Sequence, residues 1–313
     1  MTYSIVARDP ATGDLGVAVQ SKFLAVGAVV PWARAGVGAI ATQSFANVAY
    51  GPDGLALLAA GSEAADALAR LVEADELREE RQVGVVDARG NAATHTGSGC
   101  FAWAGGRPGS GFAAQGNIVA GEAVVDGLAD TFLAGGRPFP ELLIACLTAA
   151  DAEGGDRRGR ESAALLVVRE AGGFGGGSDR WIDLRVDADD DPIGELGRLL
   201  GLHRLYLDPP APVDLQPLDE ATATEIRSIL ESLGGGPGGR FENFYVRMPG
   251  AAAADEPSRE FVGEPRPFPR NWDDGWQRAL DDWLDVENLE GRTTAPGWID
   301  QRAMAVLRSR RAG

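Results

Sequence analysis

Hydrophobic and polar residues alternate with the period of an extended strand from Thr2 to Arg8 (TYSIVAR) and again from Leu15 to Ser21 (LGVAVQS), with the turn-rich DPATGD between them. This predicts a β-hairpin over 2–21. A second strand pair is expected at Val26–Val30 (VGAVV) and Val37–Ser44 (VGAIATQS), joined through Pro31 and Arg34. The apolar spacing then lengthens to the helical period. Two helices are predicted over 52–61 and 62–81, the second with Ser62 as N-cap and Ala65, Leu68, Leu71 and Val72 on one face. Strands return at Gln82–Ala88, Asn91–Thr96 and Gly111–Gly121, helices at Glu122–Leu133 and Phe139–Glu153, and a last strand pair at Glu161–Val168 and Arg180–Asp187. A helix over Pro192–Tyr206 closes the series.

A segment dense in Pro and Asp, DPPAPVDLQP at 208–217, breaks this pattern. Beyond it a helix is expected over Leu218–Leu233, with Ile226, Ile229, Leu230 and Leu233 on one stripe. A Gly-Pro loop follows at Gly234–Gly239, then irregular chain to Trp272, helical WQRALDDWLDVENLEGR, and a last helix over Trp298–Arg308. The expected organisation is an α+β domain over 1–207, a linker over 208–217 and a small, mainly helical domain over 218–313. The 313-residue length exceeds what a single hydrophobic core usually serves.

Composition narrows the function classes. The 44% hydrophobic content is that of a globular protein. No uncharged apolar run is long enough to span a bilayer, and 1–10 has no signal-peptide core, so a soluble, cytoplasmic protein is expected. A net charge of −17 argues against nucleic acid or an anionic membrane surface as partner. Cys100 and Cys146 form neither a disulfide framework nor a zinc spacing, and read as buried small hydrophobes. Lys22 is the only lysine among 29 basic residues.

Several motifs lead nowhere. GGGPGG at Gly234–Gly239 satisfies the dinucleotide spacing, but it follows a helix and contains Pro237. With only His95 and His203 there is no histidine-rich metal site, and no nucleophile elbow supports a triad on His95. DADDD at Asp187–Asp191 reads as a solvated acidic start to a helix in preference to a cation site. Phe174 in GGFGGGS reads either as a flap beside a cleft or as a plain turn. No cofactor is expected.

Thr2 carries the chemistry. Loss of a Met before a small residue leaves threonine at the terminus, with a hydroxyl nucleophile and an α-amine of pKa about 7.7 to 8.0 on one Cα. The stretches TYSIVARDPATGDLGVAVQSKFLAVGAVVPWARAGVGAIATQS, FAAQGNIVAG and GGDRRGRESAALLVV resemble the N-terminal-nucleophile (Ntn) hydrolases, and within them the branch known as domain of unknown function 1028. EIRSILESLG and WQRALDDWLDVENLEGR resemble the peptidoglycan-binding-type unit often fused to that branch.

The resemblance implies a four-layer αββα sandwich with Thr2 opening the first strand and attacking an amide carbonyl while its own amine takes the proton. Lys22 or Arg34 would then tune that amine, and Asn117 would supply a donor to the developing oxyanion. Gln43, Ser44 and Asn47 would lie along the substrate cleft, and Asp156 and Ser162 would hold the terminal amine. The implied activity is an amidohydrolase acting on a small N-acyl or peptide-like substrate. A non-catalytic binder of glycan or peptide and a proteasome-like self-compartmentalised protease are the alternatives. A homo-oligomer and a peptidoglycan fragment held by the C-terminal unit are the expected partners beyond substrate.

Overall fold

The computed structural model describes residues 2–241 and 263–311, so most of the irregular stretch expected before Trp272 lies outside the described residues. The chain divides into two compact units, Met1–Leu200 and Gly201–Gly313. The architecture is mixed α+β with antiparallel sheets, and among the described residues there are twelve strands and eight α-helices.

The first unit contains β1 (Thr2–Arg8), β2 (Leu15–Ser21), β3 (Pro31–Arg34), β4 (Gly38–Ser44), α1 (Tyr50–Ala59), α2 (Ala64–Glu73), β5 (Arg81–Asp87) and β6 (Ala92–Thr96). It continues with β7 (Ala104–Gly109), β8 (Phe112–Asn117), α3 (Glu122–Ala134), α4 (Phe139–Ala152), β9 (Ser162–Val168), β10 (Arg180–Val186) and the start of α5 (Pro192–Tyr206). Six strands form one sheet in the order β10-β9-β2-β1-β8-β7, and four form another in the order β3-β4-β5-β6. Because successive strand residues face opposite ways, β1 sends Tyr3, Ile5 and Ala7 into a core with α3, α4 and α5, and Val6 into a second core shared with Ala39, Ala41 and Val86 of the four-stranded sheet. On the far side of that smaller sheet, Ile40, Val83 and Val85 pack with Leu58 of α1 and Leu68 and Leu71 of α2. Where the two sheets approach, only glycine fits at position 84: a Cβ there would lie 2.1 Å from Gln115 Oε1.

Three expectations are corrected. Val26–Val30 is not a strand. Ala25 takes a left-handed φ of 53°, the Ser162 hydroxyl accepts from the Val26 amide, and Val26–Ala28 coils as a 3-10 turn. The strand begins at Pro31 instead, on a sheet edge where a missing N–H is harmless. The predicted helix 62–81 starts at Ala64 and stops at Glu73, because Asp75 turns the chain by accepting from the Leu77 amide, and a 3-10 turn at Arg78–Glu80 leads into β5. The loop carrying Phe174 joins β9 to β10 at the Leu15↔Val168 end of the sheet, about 20 Å from the Ser21↔Ser162 end, and so is no flap over Thr2. β7, with the sequence AGGRPG, has no alternating pattern and was not expected.

In the second unit, α6 (Glu220–Ser232), α7 (Asp274–Val286) and α8 (Gln301–Arg310) enclose a core of Ile226, Ile229, Leu230, Leu280, Trp283 and Leu307. Residues expected as linker supply β11 (Leu215–Pro217), which pairs with β12 (Trp298–Asp300). Arg292, 1% exposed, ties these pieces together: Nε donates to the Leu205 carbonyl, Nη1 pairs with Asp300 at 3.2 Å, and Nη2 donates to the Arg204 carbonyl. Asp300 in turn caps α8 through the Arg302 and Ala303 amides. No helix of the described residues is long and apolar enough to cross a membrane.

Candidate active site

Thr2 opens the central strand of the six-stranded sheet, opposite Ser21 on one side and Asn117 on the other. Its side chain faces the smaller sheet, as do Ser4 and Val6, and Thr2 lines a cavity of about 360 Å³. Phe23, Val26, Val29 and Val30 come to that cavity from the turn between β2 and β3, Gln43 and Ser44 from the end of β4, Phe45 and Ala46 from the segment beyond it, and Arg81 from the start of β5. The outer rim is aromatic: Phe23 and Phe45 are more than half exposed, and the Phe45 ring meets Phe101 at 6.3 Å between centroids.

The Thr2 hydroxyl lies 3.1 Å from the Ser21 hydroxyl. Ser21 Oγ also accepts from the Phe23 amide. Behind Thr2, a fully buried amide network holds its backbone. Gln43 donates to the Thr2 carbonyl at 3.3 Å and to Gln82 Oε1 at 2.7 Å, and Asn117 donates to the same two acceptors at 3.5 and 2.9 Å. The Gln82 amide donates to the carbonyl of Gly116 and to the Thr96 hydroxyl. Ser4 links Gln43 to Gln115 at 2.6 Å each. Burying a polar group without a bond is costly, so these bonded amides fix where the first residue of β1 can sit.

The candidates from sequence divide into four groups. Thr2, Gln43 and Ser44 share the cavity, and Ser44 holds a left-handed φ of 68°. Asn117 stands behind Thr2, its amide spent on Gln82 and the Thr2 carbonyl. Asp156, Ser162 and Lys22 meet around the turn that walls the cavity. Asp156 accepts from the Lys22 amide at 3.0 Å and from the Arg158 amide, and the Ser162 hydroxyl accepts from the Val26 amide and donates to the Phe23 carbonyl. The Lys22 ammonium is bound to Glu161 at 2.8 Å and to the Arg160 carbonyl.

Two residues lie apart from the cavity. Arg34 pairs with Gly38 at the opposite end of β4, about 17 Å along the strand from Gln43. Asn47 faces Asp75, donating to it at 3.0 Å. Asp75 also accepts from Tyr50, the Leu77 amide and Arg81, and these donors hold its carboxyl well below the usual carboxylate range. Burial pushes the Cys146 thiol up to about 12. Cys100, expected to be buried, is half-exposed and donates to the Arg81 carbonyl at 3.3 Å.

Sequence reasoning missed Ser21, Gln82 and Arg81. Ser21 was accessible from the hairpin itself, since seven-residue strands joined by a six-residue turn set Thr2 opposite it. Gln82 had a fainter signal, an amide interrupting an apolar strand. Arg81 had none, because its place depends on Asp75 and Phe45 converging from other segments.

A model described as "Family of unknown function (DUF1028)" matches residues 2–196, and one described as "Putative peptidoglycan binding domain" matches 264–307. The crystal structure of protein SPO2555 from Silicibacter pomeroyi, itself assigned to DUF1028, is similar at 31% identity with a TM-score of 0.60, over 66% of this chain and 91% of that one. No curated protein matches the chain.

Proposed function

The chain belongs to the family of unknown function DUF1028, and we propose that it is an amidohydrolase whose nucleophile is the Thr2 hydroxyl, freed for catalysis by removal of Met1. The observation that carries this reading is the seat of Thr2: a nearly buried hydroxyl on the wall of a 360 Å³ cavity, 3.1 Å from a second hydroxyl, with its carbonyl gripped by two amides. The helices on the outer faces of two packed sheets support an αββα sandwich of the Ntn-hydrolase kind.

In this mechanism Thr2 Oγ bonds to the amide carbonyl carbon while its proton passes to the α-amine, directly or through Ser21. The C–N bond breaks, the proton leaves with the amine product, and an ester to Thr2 remains. Water then attacks the ester carbon, giving a carboxylic acid and restoring the Thr2 hydroxyl. Gln43 and Asn117 position Thr2, and Asp156 and Ser162 hold the cavity wall. The match over 264–307 supports a peptidoglycan fragment as partner of the second unit.

One observation favours a second reading, a non-catalytic binder: the single lysine offers its charge to Glu161 and not to Thr2. Intact-protein mass and assay against a panel of N-acyl and linear amides separate the two. The hydrolase reading predicts a mass lacking Met1 and turnover that disappears in Thr2→Ala. Retention of Met1, or equal turnover by Thr2→Ala, contradicts it.

A further inference from the structure

On the reading that Thr2 is the nucleophile, we infer that Arg81 sets the substrate class: an amide that carries a free carboxylate next to a compact apolar group. Among the described residues lining the cavity, Arg81 carries the one ionisable side chain, and Phe23, Val26, Val29, Val30 and Phe45 supply apolar walls. Its side chain is 12% exposed and fixed at two points, with Nε donating to Asp75 at 2.9 Å and Nη1 donating to the Phe45 carbonyl. A guanidinium has five N–H donors, and these two contacts engage only part of them. The pairing with Asp75 is through Nε to a single carboxylate oxygen and Nη1 meets the Phe45 carbonyl, so Nη2 is left to donate to another partner.

Asp75 is held by several donors besides Arg81. Its oxygens are taken by Asn47, Tyr50 and the Leu77 amide, which anchor it on the α1–α2 side. The outcome is a guanidinium held in place by its ion pair with Asp75 before any ligand arrives, in a cavity lined also by Gln43, Ser44 and several apolar side chains. There a carboxylate would form charge-assisted hydrogen bonds with little loss of side-chain entropy. The anchor and the reacting atom line the same cavity, and Arg81 is the cross-strand partner of Ser44, next to the Gln43 that holds the Thr2 carbonyl. The valines seat a small branched or linear side chain between the two.

The test uses the full chain carrying Thr2→Ala, which cannot turn over ligand, titrated with N-acetyl-L-leucine and with N-acetyl-L-leucinamide, which differ only in the carboxylate. The acid is expected to bind at least about tenfold more tightly than the amide. Arg81→Gln in the same background removes that preference, and Arg81→Lys restores part of it. Thermal unfolding of each variant identifies any that fails to fold, in which case the preference in the Thr2→Ala parent and the Lys variant decide. Equal affinities, no binding of either compound, or a preference that survives Arg81→Gln overturns the inference. A preference that depends on Arg81, found in a protein whose wild type hydrolyses no amide, sinks the hydrolase reading and leaves the carboxylate anchor standing.

Discussion

Thr2 and Ser21 face one another across the first hairpin with their hydroxyl oxygens 3.1 Å apart. The Phe23 amide donates to Ser21 Oγ, and the Ser21 hydroxyl lies within proton-transfer reach of Thr2. Ser21→Ala is therefore expected to slow acylation of Thr2 by about a hundredfold, the size of a positioned proton-transfer group. The rate constant for labelling by a β-lactone measures this. A rate within twofold of wild type removes Ser21 from the mechanism.

Lys22 gives a prediction of the opposite kind. A fixed cation beside the Thr2 amine would disfavour its protonated form, so removing such a cation raises the amine pKa. The Lys22 charge is already paired with Glu161. Lys22→Met is expected to leave the midpoint of the pH–acylation curve within about half a unit of wild type. A midpoint displaced upward by a full unit assigns Lys22 to the amine after all.

Gln82 is the hub of the amides behind Thr2: two side chains donate to its oxygen, and its nitrogen donates to Gly116 and Thr96. Gln82→Leu strands several buried groups at once and is expected to cost about 2 to 3 kcal/mol of stability. Chemical denaturation of the two proteins checks this. A loss under about 0.5 kcal/mol means the network is not what fixes Thr2.

Asp75 makes stability depend on acid. Its folded pKa is depressed, chiefly by the hydrogen bond from Arg81. Its stabilising contribution is therefore fully present above the unfolded value of about 3.9 and is lost as pH falls below it toward the folded value. The difference in unfolding midpoint between wild type and Asp75→Asn is expected to be largest near neutral pH and to narrow below about pH 4. A difference that stays constant down to pH 2 rules out the linkage.

What was legible in the sequence follows from physics that acts locally. β1 and β2 are short runs bounded by a turn dense in Asp, Gly and Pro, so both strands fall where the pattern sets them. α5 likewise covers the predicted 192–206. Val26–Val30 misled because a buried turn and a buried strand are equally apolar; only Ser162, far away in sequence, reveals that the segment coils. β7 carries Gly and Pro on a sheet edge and has no side-chain rhythm to detect. The site shows the same division. Thr2, Gln43 and Ser44 could be found from strand ends, whereas Arg81 enters through Asp75 and Phe45, a convergence that no local pattern encodes. Arg34 was drawn in by the resemblance, as a cation placed to tune the Thr2 amine, and it leaves once the strand is set at Pro31–Arg34 and its register with β4 is known.

The most direct test of the account is to treat the mature protein with a β-lactone and map the adduct by peptide mass spectrometry, wild type against Thr2→Ala. The account predicts one stoichiometric adduct on the N-terminal peptide, carried by Thr2, and none in the variant. Equal modification of both proteins, or an adduct confined to Cys100, contradicts it.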